Sequence, residues 1–162
     1  MVFVKSQESR VRGQESRVKT YFPIPSQQST VNSPQYLLRK IYMSTVLVVE
    51  DTPSQLELIN NFLRESGHTV IKAYDAKDGL NKAVEQQPDV IITDVVMPGL
   101  SGFEFCRQLK KNPATEKVPI IICSSKNKEI DRIWGMKQGA DVYLTKPFTR
   151  QELLRALRSV VD

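Results

Sequence analysis

Little in this 162-residue chain suits a metal-thiolate or disulfide framework: it has two cysteines and one histidine. Cys106 and Cys123 stand 17 positions apart with no metal-type spacing. Reduced thiols are therefore expected, with Cys123 serving as core inside an apolar stretch. No apolar run approaches the ~20 residues a membrane span needs. Met1 to Thr20 is polar and charged, without the apolar segment of a secretory signal. What remains is an ordinary globular composition, long enough for one domain with an appendage and a substantial core.

The net charge of +5 suggests nucleic-acid binding until it is divided by position. Residues 1–42 hold seven bases (Lys5, Arg10, Arg12, Arg17, Lys19, Arg39, Lys40) against Glu8 and Glu15, which accounts for all of it. Residues 43–162 balance at 16 of each sign. No sequence-specific DNA binding is expected of the domain, and the tail reads as a solvated leader. A weak contact with nucleic acid or anionic lipid is its alternative. Residues 1–42 are expected to be a disordered basic extension. Gln7-Glu8-Ser9-Arg10-Val11 recurs once, as Gln14 to Val18, and Ser, Gln and Pro follow from Phe22 to Gln35. Tyr36 to Tyr42 is a possible helical turn. Met43, directly before the first strong element, is an alternative start, and an organellar transit peptide is a third reading.

From Val46 the pattern turns regular. Val46–Val49, Val70–Ala73, Val90–Thr93, Pro119–Cys123 and Val142–Leu144 are apolar runs of strand length. Helical spacing alternates with them. Leu56, Ile59 and Leu63 mark the first helix, and Leu80, Ala83 and Val84 the second. Ser101 opens the third through Leu109, Ile130, Ile133 and Trp134 seed the fourth, and Leu153, Leu157 and Val160 face inward in the last. Trp134 is expected in the core, because it shares the Ile130 face. Thr52–Gln55, Ser101–Glu104 and Thr149–Glu152 have the form of capping boxes, and Pro53 suits the first helical position. Five strands alternating with five helices form an α/β, doubly wound parallel sheet covered on both faces. The sequence stops just past the last helix, so no attached output domain is expected.

The strand ends carry the chemistry. Glu50-Asp51, Asp94, Ser124 and Lys146 each follow an apolar run, and in a parallel sheet those ends share one edge. Three converging carboxylates raise one another's pKa unless a cation intervenes. Mg²⁺, or Mn²⁺ in its place, suits an oxygen-rich site that keeps waters for a phosphate. Lys146 supplies a mobile positive charge and Ser124 a hydroxyl donor. The set supports attack by the Asp94 carboxylate on phosphorus, giving an aspartyl-phosphate.

Residues 45–162 resemble a response-regulator receiver domain of the CheY-like superfamily. The resemblance rests on Glu50-Asp51, on Asp94 with Met97-Pro98-Gly99, on Ser124 and on Lys146-Pro147. It implies a flavodoxin/CheY-like sheet of order 2-1-3-4-5 and a receiver domain over 43–162. Asp94 is then the phosphoacceptor, and Asp51, Asp94 and the Val96 backbone carbonyl hold Mg²⁺, with Glu50 helping through water. Lys146, Ser124 and Ser125 contact the phosphoryl group. Ser124 and Tyr143 form the switch, and Val96 and Lys126 tune dephosphorylation. Ile130, Trp134, Lys137, Tyr143 and Leu154 belong to the output surface. Ile133-Trp134-Gly135, Gln138-Gly139-Ala140 and Tyr143 to Pro147 look like the PilH-type regulators of chemosensory systems for type IV pili, twitching or phototaxis.

The resemblance implies a cytoplasmic single-domain response regulator, phosphorylated by a CheA-like sensor histidine kinase. It would dock on a pilus or motility protein, as a monomer or a weak phosphorylation-dependent dimer. Glu50 stands where many members have Asp. Two alternatives within the family are a phosphate sink for a shared kinase and a phosphorylation-independent scaffold. A phosphohydrolase of the haloacid-dehalogenase type needs a second acid two residues after its nucleophile, where this chain has Val96.

Overall fold

In the computed structural model, residues 33–161 are described, so the expectations for residues 1–32 lie outside the described residues. Five strands form one all-parallel sheet: β1 (Thr45–Val49), β2 (Thr69–Ala73), β3 (Val90–Thr93), β4 (Ile120–Ser124) and β5 (Val142–Thr145). Their order is β2-β1-β3-β4-β5, as expected. Register pairs Val49 with Ala73 and Thr93, and Ser124 with Thr145, so the strands end together. The alternating connections are α2 (Pro53–Arg64), α3 (Ala76–Gln86), α4 (Gly102–Lys111), α5 (Glu129–Lys137) and α6 (Arg150–Val161).

The strands read as unbroken apolar runs because both faces are covered. Leu47, Val49, Ile91, Ile120 and Ile122 pack with Ala76, Ala83, Phe105 and Leu109 on the side of α3 and α4. Val46, Val48, Ile92, Ile121 and Cys123 pack with Leu56, Ile59, Leu63, Leu153 and Leu157 on the side of α2 and α6. Cys106 and Cys123 are free and buried, and burial pushes both thiols up to about 12, so they behave as core.

Two helices depart from their expected faces. In α3, Val84 is exposed, and Ala76, Gly79 and Ala83 form the buried stripe. A side chain at Gly79 would meet Val49 Cγ2 at 2.8 Å, so α3 sits too close to β1 for a bulky residue there. In α5, Ile130, Ile133 and Trp134 are exposed, Trp134 by 50 %, and Gly135 is the residue the helix buries. A Cβ on Gly135 would lie 2.9 Å from Tyr143 Cδ2, so the small residue decides which face meets the sheet.

A further helix, α1 (Pro34–Tyr42), covers and slightly extends the possible helical turn expected over Tyr36 to Tyr42. Ser33 caps it by accepting from the Tyr36 N–H at 3.2 Å, and Pro34 begins it without needing an amide donor.

Below the sheet, buried His68 accepts the Ser44 N–H on Nδ1 at 3.2 Å. Burial holds its pKa below the ordinary 6.5, favouring the neutral ring. The folded state therefore gains from neutral His68 above pH 6.5 and loses that gain as pH falls through the depressed folded value. A His68→Gln chain, which cannot titrate there, is expected to lose less urea stability than wild type between neutral pH and pH ~5. Parallel profiles for the two chains would remove His68 as the cause.

Candidate functional site

The site occupies the edge where the strands end. Glu50 follows β1 directly, and its N–H donates to Ala73 O at 3.0 Å, holding it in line with the sheet. Its Oε1 accepts the Thr52 N–H at 3.1 Å. That bond takes the N–H the Gln55 side chain would have accepted from, and the Thr52 side chain makes no cap either, so the expected capping box is not made. Gln55, the other half of that box, turns to the site instead and its Oε1 accepts from Lys146 Nζ. The Thr149–Glu152 box does form in both directions.

Asp94 stands one residue past β3. Its N–H donates to Val49 O at 3.1 Å, and its Oδ1 accepts the Val95 N–H at 2.6 Å. One oxygen from each of Glu50, Asp51 and Asp94 lies within 4.8 Å of the others. Lys146, one residue past β5, places Nζ 2.7 Å from Glu50 Oε2 and 3.5 Å from Asp94 Oδ2. The Lys146–Pro147 peptide is cis. Glu50 is only 1 % exposed, and burial raises its pKa above the ordinary carboxylate value against the opposing pull of Lys146. Three carboxylates thus face a single ammonium, leaving the cluster with an excess of negative charge. This donor set fits a hard divalent cation: carboxylate oxygens, partly desolvated, with one side open.

Beside the cluster, the buried Ser124 Oγ accepts the Lys126 N–H at 3.2 Å, and the Tyr143 hydroxyl donates to Lys126 O at 2.7 Å. Tyr143 is therefore turned inward, its phenol pKa raised by burial, and the Arg132 guanidinium lies 5.8 Å from its ring centroid. Ser125 is exposed and lines, with Gln55 and Lys146 of the site and with Leu58 and Phe148, a recess of about 350 Å³. The Val96 and Lys126 side chains are exposed beside the site.

Of the residues expected on an output face, Ile130, Trp134 and Lys137 are exposed on α5. A groove of about 680 Å³ runs between α5 and β5, with Arg132, Ile133, Lys137 and Tyr143 in its walls. Leu154 lies elsewhere, half-buried on α6 in a recess with Tyr42, Ser66, His68 and Arg158. Gln55 and Gly102 are site residues that the motifs did not reveal. Gln55 was masked by its place in a plausible cap, and Gly102 by a helix start that any small residue would satisfy. A Cβ on Gly102 would lie 1.9 Å from the Asp94 carbonyl oxygen.

Comparison with known proteins agrees with this arrangement. The family model described as the response regulator receiver domain matches residues 46–158. Protein PilH of Pseudomonas aeruginosa is 41 % identical over 119 residues, covering 74 % of this chain and 98 % of that protein. Chemotaxis protein CheY4 of Vibrio cholerae superposes with a TM-score of 0.70 at 33 % identity, covering 73 % of this chain and 98 % of that one. The receiver domain of a Pseudomonas aeruginosa sensor histidine kinase, with a magnesium ion coordinated in its active-site cleft, gives 0.69 at 31 %, covering 73 % and 97 %. With the sheet order, the acidic cluster and the strand-end lysine all in place, the chain belongs to the response regulator receiver domain family.

Proposed function

We propose that residues 43–162 are a phosphorylation-operated switch of a two-component pathway, with residues 1–42 an extension to it. The observation that carries this reading is the convergence of Glu50, Asp51, Asp94 and Lys146 at one sheet edge. Asp94 Oδ attacks the phosphorus of a phosphohistidine on a CheA-like sensor kinase. An O–P bond forms, the P–N bond breaks, and the electron pair leaves with the imidazole nitrogen. Asp51, Asp94 and the Val96 carbonyl would hold Mg²⁺, with Glu50 helping through water, and the ion when bound would offset charge on the phosphoryl oxygens. Lys146 contributes to the same end, and its departure from Gln55 accompanies its engagement with the phosphoryl group.

Ser124, Ser125 and Lys146 contact the added oxygens. Recruitment of the Ser124 hydroxyl breaks its bond to the Lys126 N–H, which frees the loop that Tyr143 also holds. The readout is the exposed α5 face and its groove with β5. Similarity to PilH supports a role in a type IV pilus or related motility system of the cytoplasm. Val96 and Lys126, exposed beside Asp94, set the lifetime of the acyl phosphate by controlling the approach of water.

Acetyl phosphate with Mg²⁺ is expected to add one phosphoryl group to wild type, read by intact mass. Omitting the metal or substituting Asp94→Asn abolishes the gain. Equal uptake by Asp94→Asn would remove Asp94 from this role.

A further inference from the structure

Helix α1 turns two leucines outward. Tyr36, Arg39 and Met43, spaced three and four apart, line a recess with Thr45 and Asp89, and Tyr42 lines another with Leu154 and Arg158 of α6. Leu37 and Leu38 line neither recess. They are 43 % and 52 % exposed, and among the described residues nothing covers them further. A helix held to a domain by its more polar row, with leucines facing water, has its apolar face available for another phase.

Charge identifies that phase. No acidic residue occurs between Glu15 and Glu50, whereas Arg17, Lys19, Arg39 and Lys40 fall within that stretch. α1 leads directly into β1, so it lies at the edge where the strands begin. The last turns of α2, α4, α5 and α6 bring Arg64, Lys111, Lys137 and Arg158 to this edge. Of the acids there, Asp89 accepts the Thr45 N–H and Asp141 the Ile120 N–H, both at 2.8 Å, and Glu65 pairs with Arg150 at 2.9 Å, which leaves Glu85 and Glu116 exposed against these bases.

We propose that α1 is an interfacial anchor that lays its Leu37-Leu38 side into an anionic lipid surface. Basic groups along the same edge then contact the headgroups. None of the helices among the described residues is long and apolar enough to cross a membrane, so the chain lies on the surface. A second copy is a poorer occupant, because pairing two such edges opposes like charges. Nucleic acid would use the cations and leave the leucines without a role. The phosphoryl site is at the opposite edge of the sheet, so a membrane-bound chain keeps Asp94 accessible to protein partners.

The test is flotation of the full chain with vesicles of phosphatidylcholine alone and with about one-third phosphatidylglycerol. Wild type is expected to float with the anionic vesicles and to be released by high salt. A Leu37→Asp/Leu38→Asp chain is expected to bind at least about tenfold more weakly, because a nine-residue helix needs both its apolar and its electrostatic contacts. Both replaced side chains are exposed, so the thermal midpoint should be unchanged, which separates lost binding from lost folding. Failure of wild type to bind anionic vesicles overturns the proposal, as does equal binding to neutral ones. Binding that the double substitution leaves intact overturns it too. Light scattering that shows a wild-type dimer abolished by the double substitution would assign the face to a second copy instead. Salt-sensitive binding of duplex DNA in place of vesicles would assign the edge to nucleic acid.

Discussion

Gly102→Ala is expected to cost about 3 kcal/mol or more of folding stability, and to slow phosphorylation of Asp94 in the molecules that still fold. The new Cβ would lie 1.9 Å from the Asp94 carbonyl oxygen and 2.8 Å from both the Asp94 carbonyl carbon and Val95 Cα. All three are backbone atoms, so no rotamer change relieves the overlap, and either α4 or the β3–α4 loop must move. Two local bonds depend on that closeness: Gly102 N–H to Val95 O at 2.9 Å, and Val95 N–H to Asp94 Oδ1 at 2.6 Å. Shifting the loop therefore re-aims the Asp94 carboxylate as well as weakening the fold.

Gly99→Ala is the matched control. Gly99 has φ of +77° with nothing within 4 Å of a built Cβ, so its cost is backbone strain alone, about 1–2 kcal/mol. Urea unfolding of both variants, with phosphorylation rates measured under folded conditions, distinguishes the two effects. Equal losses for Gly99→Ala and Gly102→Ala would mean that the close approach to Asp94 has no consequence of its own.

The contrast between these glycines marks where the sequence was readable. Apolar runs such as Val46–Val49 and Ile120–Cys123 announce strands because both faces of each are covered, and a polar group after such a run is conspicuous. Glu50, Asp51, Asp94 and Lys146 were legible for that reason, and the structure brings them together. Residues whose importance is steric, or whose local pattern offers a competing use, were not. Gly102 looks like any helix start. Gln55 fits a capping box, but the Thr52 N–H goes to Glu50 and the Gln55 amide to Lys146, because a buried carboxylate and an ammonium outbid a weak cap. Periodicity alone put Ile130, Ile133 and Trp134 inward. Gly135 reverses that face, since only a residue without a side chain fits against Tyr143 and Ile122. Helix α1 was legible only as a possible turn over Tyr36 to Tyr42, because Ser, Gln and Pro dominate the residues before it, although Ser33-Pro34 is a sound helix start.

Lys146→Met is expected to lower stability at neutral pH, without divalent cation, by about 3–5 kcal/mol. The Lys146 side chain is 15 % exposed and that of Glu50 is 1 % exposed, so their 2.7 Å ion pair is shielded from water. Removing the ammonium leaves Glu50 buried with the Thr52 N–H as its remaining hydrogen-bond donor in the site, close to two further carboxylates. The sign of the pH dependence follows from Glu50. Burial already raises its folded pKa above 4.5, and loss of Lys146, which lowers it, raises it further. A carboxyl with a raised folded pKa costs stability while ionised and ceases to do so once protonated. The deficit of Lys146→Met relative to wild type should therefore shrink as pH falls from neutral through that raised value. Mg²⁺ should also recover part of the deficit at neutral pH, because a cation among the carboxylates offsets the charge that Lys146 no longer balances. A Lys146→Met/Glu50→Gln chain removes the unpaired charge itself and is expected to regain most of the lost stability in urea. It should still phosphorylate poorly on acetyl phosphate, since neither substitution restores a cation beside the Asp94 oxygens. If the double variant stays as unstable as the single one, the stabilising role of Lys146 lies in the packing of its stem and not in its charge.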